Sequence, residues 1–249
     1  MSDICIIIPT YNNDHTLTEV IDSVLGLIPS VIVVNDGSTD RTQEVLEPYK
    51  EKVIILSYPK NKGKGHALKC GFDYAKQQGY RYVLTIDSDR QHDAEDIPLF
   101  IETAKSNPEA LIIGNRNLKQ EFMPRKNTFA NRFSNFWFTL QTGIKLPDTQ
   151  SGYRLYPLEQ MKNIRPFTSR FEAELELLVR CAWSGIRIVS IPVRVYYAPE
   201  GERISHFRPG VDFFRISLLN TLFVFLAVVY GYPIRFFRYL QKKIWQHSY

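Results

Sequence analysis

Two aspartates one residue apart are the side chains best placed to do chemistry. Asp87-Ser88-Asp89 follows the apolar run Val83-Leu84-Thr85-Ile86, so two carboxylates stand where a buried strand ends. Two like charges this close require a cation or a proton between them. Carboxylate oxygens, with the Gln91 amide beside them, suit a hard divalent ion such as Mg2+ or Mn2+. An ion held by Asp87, Asp89 and Gln91 can bind a diphosphate and stabilise it as it leaves. The plainer reading is a solvated turn with helix-capping acids, because Asp93, Glu95 and Asp96 follow directly.

Other polar residues recur in comparable settings. Asp36 sits in Asn35-Asp36-Gly37-Ser38-Thr39-Asp40, where a carboxylate can accept from a base N–H or from ribose hydroxyls. Asn61-Lys62-Gly63-Lys64-Gly65 places lysines and flexible turns beside a helix start, a setting that attracts anions. It is not a GxxxxGK[ST] loop, which disfavours a P-loop ATPase. No GxGxxG follows the first apolar run, which disfavours a dinucleotide oxidoreductase.

The elements that must position these residues alternate in period. Apolar or β-branched runs at 4–8, 31–34, 53–56, 82–86 and 111–113 suit strands buried on both faces. Helical patterns lie between them, roughly at 16–27, 42–49, 66–78 and 94–104. This alternation predicts an α/β fold, an open and mostly parallel sheet flanked by helices. In such a sheet ligands bind beyond the C-terminal ends of the strands. Each of the five runs is followed by a polar or glycine-rich turn: 9–13, 35–40, 61–65, 87–91 and 114–116. Beyond them the pattern predicts an aromatic, basic loop and helix over 122–147, a helix over 171–184 and a strand over 187–197.

The 249 residues are 44% hydrophobic and 23% charged, which excludes a wholly disordered or collagen-like chain. Cys5, Cys70 and Cys181 lie far apart with no CxxC, which argues against a disulfide scaffold or a structural zinc and for a reducing, cytosolic setting. Met1-Ser2-Asp3 runs straight into an apolar stretch with no basic leader, so no secretory signal is expected. The net charge of +5 is concentrated at the end, where seven basic residues from Arg203 onward accompany one acid, Asp212. From Val211 a long apolar helix is expected, and the 19 residues 216–234 carry no charge. That is long enough for a membrane span. Asn220, Gly231 and Pro233 leave a membrane-surface helix, a helix docked on a partner, or a core helix as alternatives. Because the basic residues border this apolar stretch and no binding motif is present, a membrane surface is expected rather than nucleic acid.

Taken together these segments resemble the family 2 glycosyltransferases of GT-A type, over roughly residues 4–200. The pieces that carry the resemblance are PTYNN from Pro9, VVNDGSTD from Val33, NKGKGHAL from Asn61 and DSDRQH from Asp87. GNR from Gly114, DTQSGYRLY from Asp148 and IPVRV from Ile191 look most like the branch that charges polyprenyl phosphates, similar to dolichol-phosphate mannosyltransferase. The resemblance implies a transferase domain over 1–205 and a membrane-associating helical segment over 206–249, on the cytoplasmic side of the cell membrane.

It also implies roles for residues. Pro9, Tyr11, Asp36, Lys64 and Asp87 would hold the nucleotide, and Asp87, Asp89 and Gln91 the metal. Arg116 and Arg132 would bind the acceptor phosphate, with Ser151, Arg154, Arg203 and His206 on the acceptor side. Asp89, Asp148, Arg116 and Arg132 would be the catalytic set. Asn13 stands where the family usually has Glu, and Asn35 where it usually has an acid, which leaves UDP and GDP both open as donor nucleotides. Gly201-Glu202-Arg203-Ile204-Ser205-His206-Phe207 replaces a GESKL-like stretch. The implied reaction is a single inverting displacement at the anomeric carbon by a polyprenyl phosphate. If a saccharide were the acceptor instead, a general base would be needed. Asp148 is then the candidate, with Glu172 or Glu174 behind it. A nucleotidyltransferase and a non-catalytic membrane-associated scaffold are the readings from other classes.

Overall fold

The protein is described by a computed structural model covering residues 3–116, 125–164, 166–196 and 208–246. Seven strands form one sheet: β1 (Ile4–Thr10), β2 (Val31–Asn35), β3 (Ile54–Ser57), β4 (Tyr82–Thr85), β5 (Leu111–Arg116), β6 (Arg154–Pro157) and β7 (Ile188–Val193). Their order is β3-β2-β1-β4-β6-β5-β7. Every pairing is parallel except those of β6, which runs against both β4 and β5.

Side chains alternate across the sheet with the period of two that strands impose. In β1, Cys5 and Ile7 enter one core while Ile4, Ile6 and Ile8 enter the other. Helices α1 (Leu17–Leu25), α2 (Thr42–Leu46) and α4 (Ile97–Ser106) cover the second face. The first is covered by α3 (Lys64–Gln77), α5 (Arg125–Thr142), α6 (Glu172–Trp183) and α7 (Pro209–Leu226). Burial on both sides explains why β1, β2 and β4 read as unbroken apolar runs.

The expected strand over 187–197 is shorter, at Ile188–Val193, and Val195 makes one further bridge to His92. β6 was not expected. It is four residues long and enters the sheet as the return from α5, so no periodic run announces it. After α7 the chain makes one wider π turn (Ala227–Gly231) and continues as α8 (Tyr232–Gln246). Gly231 faces the Trp183 indole, whose Nε1 lies 2.5 Å from where a Cβ would stand.

One close crossing positions the site. Gly65 of α3 faces α6, where a Cβ would lie 2.3 Å from the Ala173 Cβ. The missing side chain brings Lys64, the first residue of α3, against Glu174 of α6. Gly65→Ala is expected to push the two helices apart and lower stability by about 1–3 kcal/mol, measured by urea unfolding.

Candidate active site

A cleft of about 640 Å³ opens where β1, β2 and β4 end. Pro9, Thr10, Tyr11 and Asn13 line it from the β1 turn, Asp36 from β2, and Asn61, Gly63 and Lys64 from the loop into α3. Asp87, Ser88 and Asp89 line it from β4, and Arg170, Phe171 and Arg208 complete the wall.

Backbone contacts hold the turns together. Asp36 is 3% exposed, and its carboxylate accepts from the Lys62 and Gly63 N–H groups at 2.8 Å and from Asn61 Nδ2 at 3.0 Å. It thus shapes the glycine–lysine loop as well as lining the cleft. Gly37 must be glycine, because its φ is +66° and a Cβ would fall 2.4 Å from the Lys60 backbone. Asn13 Nδ2 donates to the Ser88 carbonyl at 2.6 Å, while its Oδ1 accepts from Thr16. The asparagine that departs from the family pattern therefore fixes the turn between the two aspartates.

Those aspartates differ sharply in environment. Lys64 Nζ lies 2.7 Å from Asp87 Oδ1 and 3.0 Å from Glu174 Oε2. Burial alone would depress the ammonium, but Asp87 and Glu174 outweigh it and hold Lys64 above the usual lysine range. Burial likewise opposes ionisation of Asp87, and the Lys64 charge overcomes it, keeping Asp87 an anion. Among the described residues no lysine or arginine pairs with Asp89. Burial and the neighbouring Asp87 charge push it up to about 6, against which the Gln91 N–H donates to its Oδ1 at 3.0 Å.

This donor set fits a hard cation. Among the described residues no cluster of three or more His, Cys, Asp or Glu side chains forms a closed metal cage. Asp87 and Asp89 offer carboxylate oxygens into the cleft, which suits an ion that takes its remaining ligands from water and phosphate. Gln91 meets Asp89 through its main-chain N–H, and its carbonyl accepts from Tyr196.

The residues assigned to the acceptor separate into groups outside the cleft lining. Arg116 forms a fork with Asp148, Nε to Oδ2 at 2.6 Å and Nη2 to Oδ1 at 2.9 Å. Asp148 also accepts from the N–H groups of Arg116 and Gln150 and from Asn131 Nδ2, five hydrogen bonds among the described residues. Burial would raise its pKa, but Arg116 outweighs that and keeps it low. A carboxylate so engaged is a poor proton acceptor, so its contacts fit a positioning role for Arg116 rather than a general base. Arg132 is exposed on α5 beside Asn131.

Arg154, expected on the acceptor side, is used inside the fold. It is fully buried and donates to the carbonyls of Thr149, Ser151 and Glu174, tying this loop to α6. Ser151 is buried too, and its Oγ accepts from the Tyr153 N–H. The loop comes close to the acidic pair at Gly152, where a Cβ would lie 2.7 Å from Asp87 Oδ2. Arg203 and His206 lie outside the described residues.

Glu172 and Glu174, the acids expected behind Asp148, are buried on α6 together with Glu176. Glu172 pairs with Arg215, Glu174 with Lys64, and Glu176 accepts from the backbone at 167 and 168 and from Arg180. Arg170 and Arg208, from separate segments, both reach the cleft wall.

A sheet of this order, with a single reversed strand and its cleft at the parallel strand ends, is that of the GT-A type transferases. Glucosyl-3-phosphoglycerate synthase from Mycobacterium tuberculosis, solved with Mn2+, UDP and glucosyl-3-phosphoglycerate, superimposes with a TM-score of 0.61 at 20% identity, covering 90% of this chain and 79% of that one. The sequence match is to Glycosyl transferase family 2 over residues 5–164, and the chain belongs to that family. Glycosyltransferase AglJ of Haloferax volcanii is 30% identical across 90% of this chain and 76% of its own length. A dolichyl-phosphate beta-glucosyltransferase of Trichomonas vaginalis is 26% identical across 87% of this chain and 73% of its own.

An ion held by Asp89 would have to displace its proton below about pH 6. Affinity for Mn2+ is therefore expected to climb up to about tenfold per pH unit and to level off above about 6, where Asp89 is already ionised. Calorimetric titration across that range measures it, and Asp89→Asn should flatten the profile. The ion-free fold should lose stability as pH rises through about 6, because the raised pKa means the unfolded chain releases this proton earlier.

Proposed function

We propose that this protein transfers a sugar from a UDP- or GDP-linked donor to a polyprenyl phosphate, with inversion at the anomeric carbon. The observation that carries the acceptor class is the state of the cleft acids. Its three lining acids are Asp36, Asp87 and Asp89. Asp36 is held by the glycine–lysine loop, and Asp87 by Lys64. Among the described residues of the lining that leaves Asp89, the natural partner of the metal, and no spare carboxylate to deprotonate a sugar hydroxyl. A lipid phosphate needs none, since its second pKa is about 6 and it is already anionic at neutral pH. Lys64, Arg170 and Arg208 bring positive charges to the cleft wall, beside the three acids, for the phosphates of such an acceptor and donor. The relative named for dolichyl phosphate supports the same class.

Asp87 and Asp89, with Gln91 beside them, would hold Mg2+ or Mn2+, and such an ion supplies charge neutralisation for a departing diphosphate. The chain's own residues do the rest. Pro9, Tyr11 and Asp36 border the space for the nucleotide, and Lys64 places a fixed positive charge beside it. A phosphate oxygen of the acceptor attacks the anomeric carbon as its bond to the nucleotide diphosphate breaks. The diphosphate leaves with the electron pair, and no proton need move. Arg116, braced by Asp148, and Arg132 stand on the acceptor side. In this reading residues 1–205 form the transferase domain, and 206–249 bring it to the cytoplasmic face of a membrane.

Incubation with labelled UDP- or GDP-sugar, Mn2+ and a polyprenyl phosphate, followed by solvent extraction, tests the reading. Label is expected in the lipid fraction, and Asp89→Asn should reduce it by about a hundredfold or more. Label confined to water-soluble glycan would overturn the acceptor assignment.

A further inference from the structure

Among the described residues one helical stretch, Gly210–Arg238, is by length and composition able to cross a membrane. We propose that it does not cross but lies flat in one leaflet, as an in-plane anchor on an anionic bilayer. This deepens the membrane contact of the proposed function and is independent of which acceptor is used.

The helix is docked on the transferase domain along its whole length. Asp212, Leu219, Asn220, Phe223, Ala227 and Gly231 are buried and follow helical spacing, so they form one stripe. The contacts along that side are directional. Arg215 pairs with Glu172 near the start, and Gln141 Nε2 donates to Asn220 Oδ1 at 2.9 Å in the middle. Tyr232 Oη donates to the Leu140 carbonyl at 2.6 Å, and Arg238 to the Trp183 carbonyl at 2.8 Å. Twenty-nine helical residues measure about 43 Å, longer than a hydrocarbon core of about 30 Å. A spanning helix with these contacts intact would drag α5 and α6 into lipid. Arg180, which pairs with Glu176 and shares a cavity of about 450 Å³ with Phe223 and Tyr230, would then sit at hydrocarbon depth.

The opposite face is apolar and open. Phe214, Leu218, Leu222, Phe225, Val229 and Phe236 recur at helical spacing and are each at least 43% exposed. Phe136 and Leu140 of α5 extend this surface, at 60% and 43% exposed. Charge identifies the occupant. The only acid after Glu202 is Asp212, which is buried and paired with Arg208. Lys243 of α8 and Arg132 of α5 are exposed, and Arg235 and Arg238 of α8 are half-buried. A second copy would meet this face with the same positive charge, whereas anionic headgroups complement it. Arg208 stands at the head of the helix and lines the catalytic cleft, so a flat helix brings the cleft mouth to the headgroup level.

The test uses the full chain with Cys70→Ser, on phosphatidylcholine vesicles with and without phosphatidylglycerol. Phe214→Cys, Phe225→Cys and Phe236→Cys each carry a fluorophore, quenched by lipids brominated at known depths. The in-plane helix predicts one shared depth, about 5–10 Å into the headgroup and acyl boundary, and tighter binding with phosphatidylglycerol. A label at 225 near the bilayer centre, with 214 and 236 at opposite surfaces, would establish a span and overturn the proposal. Unquenched labels on a sedimenting dimer would overturn it in favour of a second copy. Phe225→Glu, at an exposed position, should weaken vesicle binding by about tenfold or more while leaving UDP–Mn2+ binding unchanged. Sugar transfer to a detergent-dispersed acceptor remains a separate readout of the catalytic reading.

Discussion

The ammonium of Lys64, enclosed between Asp87 and Glu174, is the contact on which the rest of the site depends. It joins the end of β4, the first turn of α3 and the first turn of α6. A buried charge is tolerable only when it is paired, and removing one partner leaves the others uncompensated. The surrounding backbone is arranged to permit this closeness. Gly65 lets α3 and α6 approach, and Gly152 leaves room beside Asp87 and Lys64. The same pairing settles how the two aspartates divide their work. Asp87 is kept ionised by Lys64, while Asp89 bears the cost of the neighbouring charge and holds its proton to about 6.

Acids elsewhere in the molecule are committed in similar ways, and this constrains the chemistry. Asp36 organises a loop, Asp148 braces Arg116, and the three glutamates of α6 each serve a different partner. A cleft in which Asp36 and Asp87 are already engaged, and to which Arg170 and Arg208 contribute, can take substrates that are themselves anionic. Nucleotide diphosphates and lipid phosphates share that property. In the proposed function, the apolar helix that begins beside the cleft would bring the two together at a membrane surface.

Legibility varied with the range of the interactions involved. The strand–helix alternation and the five turns at strand ends were plain, because burial on both faces leaves unbroken apolar runs and the turns follow them directly. β6 was hidden because four residues carry too little periodicity, and its place between β4 and β5 is set by pairing across distant segments. Arg154 looked like a ligand contact, since an arginine's type does not disclose that three carbonyls will surround it. Glu174 could equally have been an ordinary charged position on a helix. Only the crossing of α6 over α3 turned it toward Lys64.

From its own order of residues the chain determined the α/β class, the family motifs and the acidic pair, since each depends on neighbours a few positions away. Residues that lie far apart in sequence were assigned by the tertiary structure alone. It decided which carboxylate keeps its proton, which arginines face a cavity and which serve as internal struts. It also decided that one side of the long apolar helix rests on protein while the other is left open. The physical reason is that burial and charge pairing are properties of a place in space, and sequence spacing specifies that place only within a single element.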